Sequence, residues 1–153
     1  EKSNIDLAVI YRPLNNNFLN PIMENLRKKY ICKKQIKKGI SGTKQILQYF
    51  KSGTSIALMI DQRVSQGIKS PLFGKEALTT TIPAQFVKKF NCKIVPIFIQ
   101  RKNNEKFILE IMKPQSFENT QTIENITLKL NQLLEMMILK KPHQWIWSHN
   151  RWK

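Results

Sequence analysis

The sequence predicts an α/β fold with a mixed, largely parallel sheet flanked by helices. Short apolar runs bounded by Gly, Pro or charge alternate with longer segments of helical periodicity. The order strand, helix, connector, helix, strand in the first 60 residues is what parallel pairing requires, because parallel neighbours need a crossover. A long periodic segment near the C-terminal end carries one apolar face able to cover a sheet. The 153 residues are expected to form a single domain over residues 1–153, since a chain of that size buries roughly 70% of its unfolded surface.

Asp6 to Tyr11 reads as a short strand that Arg12-Pro13 ends, because proline lacks the donor a ladder needs and restricts its predecessor. A helix follows, with Phe18, Leu19, Ile22, Met23, Leu26 and Tyr30 at helical spacing and Pro21 in its first turn. Ser41 or Thr43 is positioned to cap a second helix carrying Ile46, Leu47 and Phe50 and ending at Gly53. Ile56 to Ile60 reads as a buried strand that delivers Asp61 to its C-terminal end, the edge where open α/β sheets bind ligands. Turn chemistry alone is the competing reading of Asp61.

After a polar loop, Thr79-Thr80-Thr81-Ile82-Pro83 has the signature of a helix N-terminus, with Phe86, Val87 and Phe90 inward and Asn91 as terminator. Lys93 to Gln100 reads as a buried strand interrupted at Pro96. A short connection joins it to Glu105 to Met112, which predicts an antiparallel hairpin. Asn119 to Lys140 is the longest helix, its methionines packing residues.

Lys and Arg outnumber Asp and Glu by 26 to 10, a net charge of +16, with eight basic residues and no acid between Arg27 and Lys44. Such a surplus concerns partners rather than fold and suits nucleic acid, an anionic membrane surface or an acidic protein. Cys32 and Cys92 lack the spacing of a zinc or redox motif and read as buried thiols. No apolar run approaches the roughly 20 residues that cross a bilayer, and no signal peptide is present, so any membrane anchor is expected outside this sequence.

The only histidines, His143 and His149, have no acidic residue placed to orient them, and the nucleophile elbow, Gly-rich phosphate loop and HExxH motif are absent. The better-founded constellation is Arg12 and Asp61 at one sheet edge with Lys69 in the loop between. It offers a guanidinium fork for phosphate or carboxylate and a carboxylate for a sugar hydroxyl, though a structural ion pair fits the same residues. Three tryptophans interleaved with basic residues after Pro142 suit base stacking, a membrane interface or a packed terminus.

Taken together, Tyr11-Arg12-Pro13, Asp61-Gln62, Pro71-Leu72-Phe73-Gly74, Ala77-Leu78-Thr79-Thr80-Thr81, Val95-Pro96 and Gln144-Trp145-Ile146-Trp147-Ser148-His149-Asn150-Arg151-Trp152-Lys153 resemble the late acyltransferases of lipid A biosynthesis, within the glycerolipid acyltransferase superfamily. The resemblance implies a Gram-negative inner-membrane enzyme facing the cytoplasm. Such an enzyme moves an acyl chain from acyl carrier protein to the hydroxyl of a 3-hydroxyacyl chain on a Kdo-bearing lipid A precursor, without metal or bound cofactor. Both partners are acidic, which gives the basic surplus a use in steering. The resemblance places Arg12, Asp61 and Gln62 at the polar acceptor site, and Arg63, Lys69, Thr79 and Thr80 at phosphate contacts, with Arg151 and Lys153 near lipid headgroups.

The family's histidine base, with an acid five positions on, lies upstream of the YRP segment, and this chain starts eleven residues before Arg12. The expectation is therefore the C-terminal portion of a larger acyltransferase domain, incomplete at the N-terminus and without turnover alone. The alternative expectation is a noncatalytic basic domain that binds an anionic lipid surface or nucleic acid. Upstream sequence carrying an anchor and an HxxxxD/E motif decides for the enzyme.

Overall fold

The computed structural model describes residues 5–103 and 105–153, with only the backbone at residues 40 and 41. The chain divides into two units, Glu1–Met59 and Ile60–Lys153.

The first unit runs β1 (Leu7–Tyr11), α1 (Leu19–Tyr30), β2 (Lys34–Lys37), α2 (Ile40–Lys51) and β3 (Ser55–Ala57). The strands pair in the order β2-β1-β3, all parallel, with Ala8 beside Lys34 on one side and Ile56 on the other. Ala8, Ile36 and Ile46 are its buried apolar residues. A polar latch ties the strand starts together: Lys34 Nζ donates to Asp6 at 2.5 Å and to Thr54 at 2.9 Å, and the Thr54 hydroxyl donates to Asp6 at 2.8 Å.

Four expectations change here. The basic connector contains a strand, β2, because Ile36 alone suffices to anchor it while lysines take the wetter positions. Helix α2 begins after Gly39 with no side-chain cap, and Thr43 lies inside its first turn, donating back to the Gly39 carbonyl; the Ser41 side chain lies outside the described residues. Strand β3 ends at Ala57, so Leu58 to Ile60 carry the chain onward to Asp61 without ladder pairing, with Leu58 and Ile60 half-buried and Met59 exposed.

The fourth change concerns α1, which presents the opposite face from the one its periodicity suggests. Asn20, Met23, Glu24 and Arg27, spaced i, i+3, i+4 and i+7, are its half-buried positions. Glu24 accepts from the Tyr11 hydroxyl at 2.7 Å, and the Arg27 guanidinium lies over the Tyr11 ring at 5.0 Å. Phe18, Leu19, Ile22, Leu26 and Tyr30 are exposed, and no residue of α1 is fully buried.

The second unit runs β4 (Ile68–Leu72), β5 (Lys75–Thr79), α3 (Ile82–Phe90), β6 (Ile97–Lys102), β7 (Lys106–Ile111) and α4 (Ile123–Lys140), followed by a 3-10 turn at Pro142–Gln144. β4 and β5 form an antiparallel hairpin where a polar loop was expected. Its two-residue turn, Phe73 at φ 51° and Gly74 at φ 71°, has the positive φ pair that matches strand twist. Pro71 sits in this strand because a two-stranded ladder is all edge.

Helix α4 is the spine of this unit. Thr122 caps it, its hydroxyl accepting from the Asn125 amide at 3.2 Å. Leu134 and Ile138 pack against Leu72 and Ala77 of the hairpin, together with Trp145 and Trp152. One to two turns earlier, Ile126 and Leu130 pack against Ala84 and Val87 of α3. Each such leucine or isoleucine contributes about 1.5–3 kcal/mol by leaving water. Helix α3 ends at Asn91, which takes the left-handed conformation at φ 49°.

β6 and β7 form the expected antiparallel hairpin, in register Ile97 with Ile111 and Ile99 with Leu109. Pro96 precedes β6 instead of interrupting it, and its carbonyl accepts from the Met112 amide at 3.0 Å. The strand is not buried as expected, since Ile97 and Ile99 are exposed. The mixed α/β class holds, with the strands of the described residues in three small sheets and parallel pairing confined to the first.

Candidate functional site

The polar chemistry of the second unit gathers where the segment after Ile60 meets β5 and the C-terminal tail. Ile60 packs on both apolar clusters, which fixes the backbone just before Asp61. The Asp61 side chain is half-buried, and its Oδ1 has no hydrogen-bond partner. Burial pushes its carboxyl above the usual carboxylate range, against the smaller opposing pull of Arg151 and His149.

Arg151 is 0% exposed, the largest fully buried side chain among the described residues. Its Nη1 donates to the Leu78 carbonyl and its Nη2 to the Thr79 hydroxyl at 2.9 Å. Its Nε has no hydrogen-bond partner, and Asp61 supplies a nearby opposite charge to the buried guanidinium. The expectation that Arg151 reaches lipid headgroups is thereby corrected. The arginine is folded into the core by β5.

Thr79 closes the next layer. Its hydroxyl accepts from Arg151 at 2.9 Å and from Asn131 Nδ2 at 3.1 Å, and donates to the Ala77 carbonyl at 3.1 Å. Those three bonds use its whole capacity. Asn131, 0% exposed on α4, also donates to the Pro71 carbonyl at 2.9 Å, so one amide links the spine to both strands of the hairpin.

Outside this buried layer, Gln62 and Arg63 are exposed. The Arg63 amide donates to His149 Nε2 at 3.3 Å, and its Nε donates to the Lys153 carbonyl at 2.6 Å. His149 therefore spends the lone pair a general base would use, and the residue five positions after His143 is Ser148, not an acid.

The other expected site residues fall elsewhere. Arg12 is exposed in the first unit, one residue past β1. Lys69 lies in β4, not in a loop, and pairs with Glu76 at 3.2 Å on the open surface. Thr79 is the last residue of β5, buried, and not part of a helix start. Thr80 is also buried, its hydroxyl accepting from the Ile82 amide at 3.4 Å. The tryptophans pack on one another: Trp147 stacks with Trp152 at 6.5 Å, and Trp152 Nε1 donates to the Leu72 carbonyl at 2.9 Å. Asn131 is the functional-site neighbour that sequence reasoning missed, and Arg151 the one it assigned to lipid headgroups and not to the buried layer. Asn131, a polar residue within α4's apolar stripe, was the available signal for the first.

The family model described as bacterial lipid A biosynthesis acyltransferase matches residues 1–153. The chain belongs to this family. The YRP, DQ and PLFG segments and the tryptophan-rich tail are thus features of a lipid A biosynthesis acyltransferase sequence. The family indicates acyltransferase activity on a lipid A precursor in general, and a membrane-associated place in the cell envelope. No helix among the described residues is long and apolar enough to cross a membrane. No curated protein matches the chain.

Proposed function

We propose that this acyltransferase moves a fatty acyl chain from acyl carrier protein to the hydroxyl of a 3-hydroxyacyl chain on a Kdo-bearing lipid A precursor, at the cytoplasmic face of the inner membrane. The observation that carries the reading is the half-buried Asp61 carboxylate, its buried Oδ1 without a hydrogen-bond partner, under the electrostatic influence of the buried Arg151 and flanked by exposed Gln62 and Arg63. An acceptor hydroxyl donates to the half-buried Asp61 carboxylate, and Arg63 meets a phosphate or Kdo carboxylate through its guanidinium fork. Gln62 supplies a neutral hydrogen-bonding partner, Arg12 is assigned separately to an anionic group, and Lys69 and the α3 N-terminus, where Thr80 precedes the Thr81 N-cap, to phosphate. Thr79, its hydroxyl saturated, acts through Arg151.

In this reading the base that deprotonates the acceptor hydroxyl belongs to an HxxxxD/E pair, which the 153 residues do not contain. Residues 1–153 are accordingly proposed as the C-terminal portion of one glycerolipid-acyltransferase-like domain that binds acceptor without turning it over. The test is to offer the 153-residue chain a Kdo-bearing lipid A precursor and acyl carrier protein loaded with a fatty acid. Saturable acceptor binding without acyl transfer is expected. Acyl transfer at ordinary enzyme rates, or no preference for the Kdo-bearing precursor over a neutral glycolipid, overturns the reading.

A further inference from the structure

Helix α1 sits with its polar side toward its own sheet and its apolar side outward. Water-soluble helices bury the apolar stripe, because burial of such side chains is what holds most helices to a fold. Here Asn20, Glu24 and Arg27 face inward, tied by Tyr11 and by the Asn20 Nδ2 to Glu24 bond at 2.7 Å. Phe18 is 89% exposed, Ile22 56% and Tyr30 72%, and with Leu26 they form the series i, i+4, i+8, i+12 along one stripe. The Asn20 side chain also accepts from the Leu14 amide at 2.8 Å, so two independent polar contacts hold the helix in this rotation.

The stripe has a basic border. Lys28 and Lys29 of the helix are exposed, and the only acid on the helix, Glu24, is engaged with Tyr11 on the opposite side. Lys29 Nζ lies over the Tyr30 ring, 5.2 Å from its centroid. An outward row of Phe, Ile, Leu and Tyr bordered by lysines is the composition of a helix lying in the plane of a membrane interface. A neutral protein surface would match the apolar row but leave the lysines without counter-charge, whereas an anionic bilayer answers both at about 1 kcal/mol per basic residue near the surface.

We propose that the outward face of α1, from Phe18 to Tyr30, is the surface through which the first unit docks on an anionic lipid bilayer. Phe18, Ile22 and Leu26 enter the headgroup-acyl boundary, and Lys28 and Lys29 meet lipid phosphates. The inference rests on the reading of the acceptor as a bilayer lipid, but its vesicle sedimentation uses neither acceptor nor donor.

The 153-residue chain is sedimented with vesicles of phosphatidylglycerol and phosphatidylethanolamine, and with vesicles of phosphatidylcholine alone. Binding to the anionic vesicles is expected to weaken as salt shortens the Debye length from about 10 Å at 0.1 M to about 3 Å at 1 M. Phe18→Ser with Ile22→Ser and Leu26→Ser is expected to lower the partition coefficient at least tenfold with an unchanged far-ultraviolet dichroism spectrum. Lys28→Glu with Lys29→Glu is expected to lower it several-fold on anionic vesicles alone. Absence of binding by the unaltered chain overturns the proposal, as does a serine variant that binds like the unaltered chain. A serine variant that turns a dimer into a monomer while keeping its vesicle binding assigns the face to a second copy and overturns it too. Acceptor binding that survives in the serine variant leaves the Asp61 reading intact.

Discussion

Arg151 Nη2 donates to the hydroxyl of Thr79 across 2.9 Å, so that the third-to-last residue of the sequence is locked to the last residue of β5. The guanidinium is fully buried and stands behind Asp61, which makes the tail a structural part of the polar site.

Arg151→Ala removes two hydrogen bonds from a charged donor and leaves the Leu78 carbonyl and the Thr79 hydroxyl short of a partner. A loss of roughly 3 kcal/mol is expected, measured as a lower urea midpoint for the second unit. Arg151→Lys is expected to recover little, because an ammonium cannot reproduce the two-point fork.

Asn131→Ala withdraws the amide that links α4 to the Pro71 carbonyl and the Thr79 hydroxyl. The expected cost is about 1–3 kcal/mol, the penalty for leaving buried polar groups unpaired. An unchanged urea midpoint would show that the amide is not a structural link.

Asp61 makes stability and function pull apart with pH. Burial raises its carboxyl above the unfolded value, so between those two ionisation points the folded chain binds more protons than the unfolded chain. The stability this proton supports is fully present below the unfolded value and is lost as pH rises through the folded one. Asp61→Asn keeps the neutral form at every pH. Thermal melting is expected to show the unaltered chain losing stability as pH rises through the folded ionisation point, a slope that Asp61→Asn removes.

Asp6 behaves in the opposite sense. The Lys34 hydrogen bond, then that of Thr54, holds its carboxyl below the usual range. Its contribution is present above the unfolded value and is lost as pH falls through the lower folded one. Asp6→Asn is expected to melt earlier at neutral pH and to match the unaltered chain in strong acid.

The sequence was most legible where one face of an element had to be buried. Helix α4 and helix α3 with its Asn91 terminus follow from periodicity and caps. The β6–β7 pairing follows from its short connection. Helix α1 was misoriented because periodicity reveals that an apolar stripe exists, not what it faces. Strand β2 was hidden since four residues with two lysines carry almost no pattern. At the site, Asp61, Gln62 and Arg63 were visible as charge ending an apolar run. The burial of Arg151 was not, because charge near a terminus is usually solvated and only tertiary contacts with Leu78 and Thr79 bring it inside.

The central claim is that Asp61 and Arg63 bind the acceptor, and the most direct measurement is the affinity of a Kdo-bearing lipid A precursor for the 153-residue chain and its variants. Asp61→Asn and Arg63→Ala are each expected to weaken binding at least tenfold, about 1.4 kcal/mol, while Lys106→Ala on the exposed surface of β7 leaves it unchanged. Undiminished binding by Asp61→Asn, with losses that follow the number of lysines removed wherever they lie, would contradict the account.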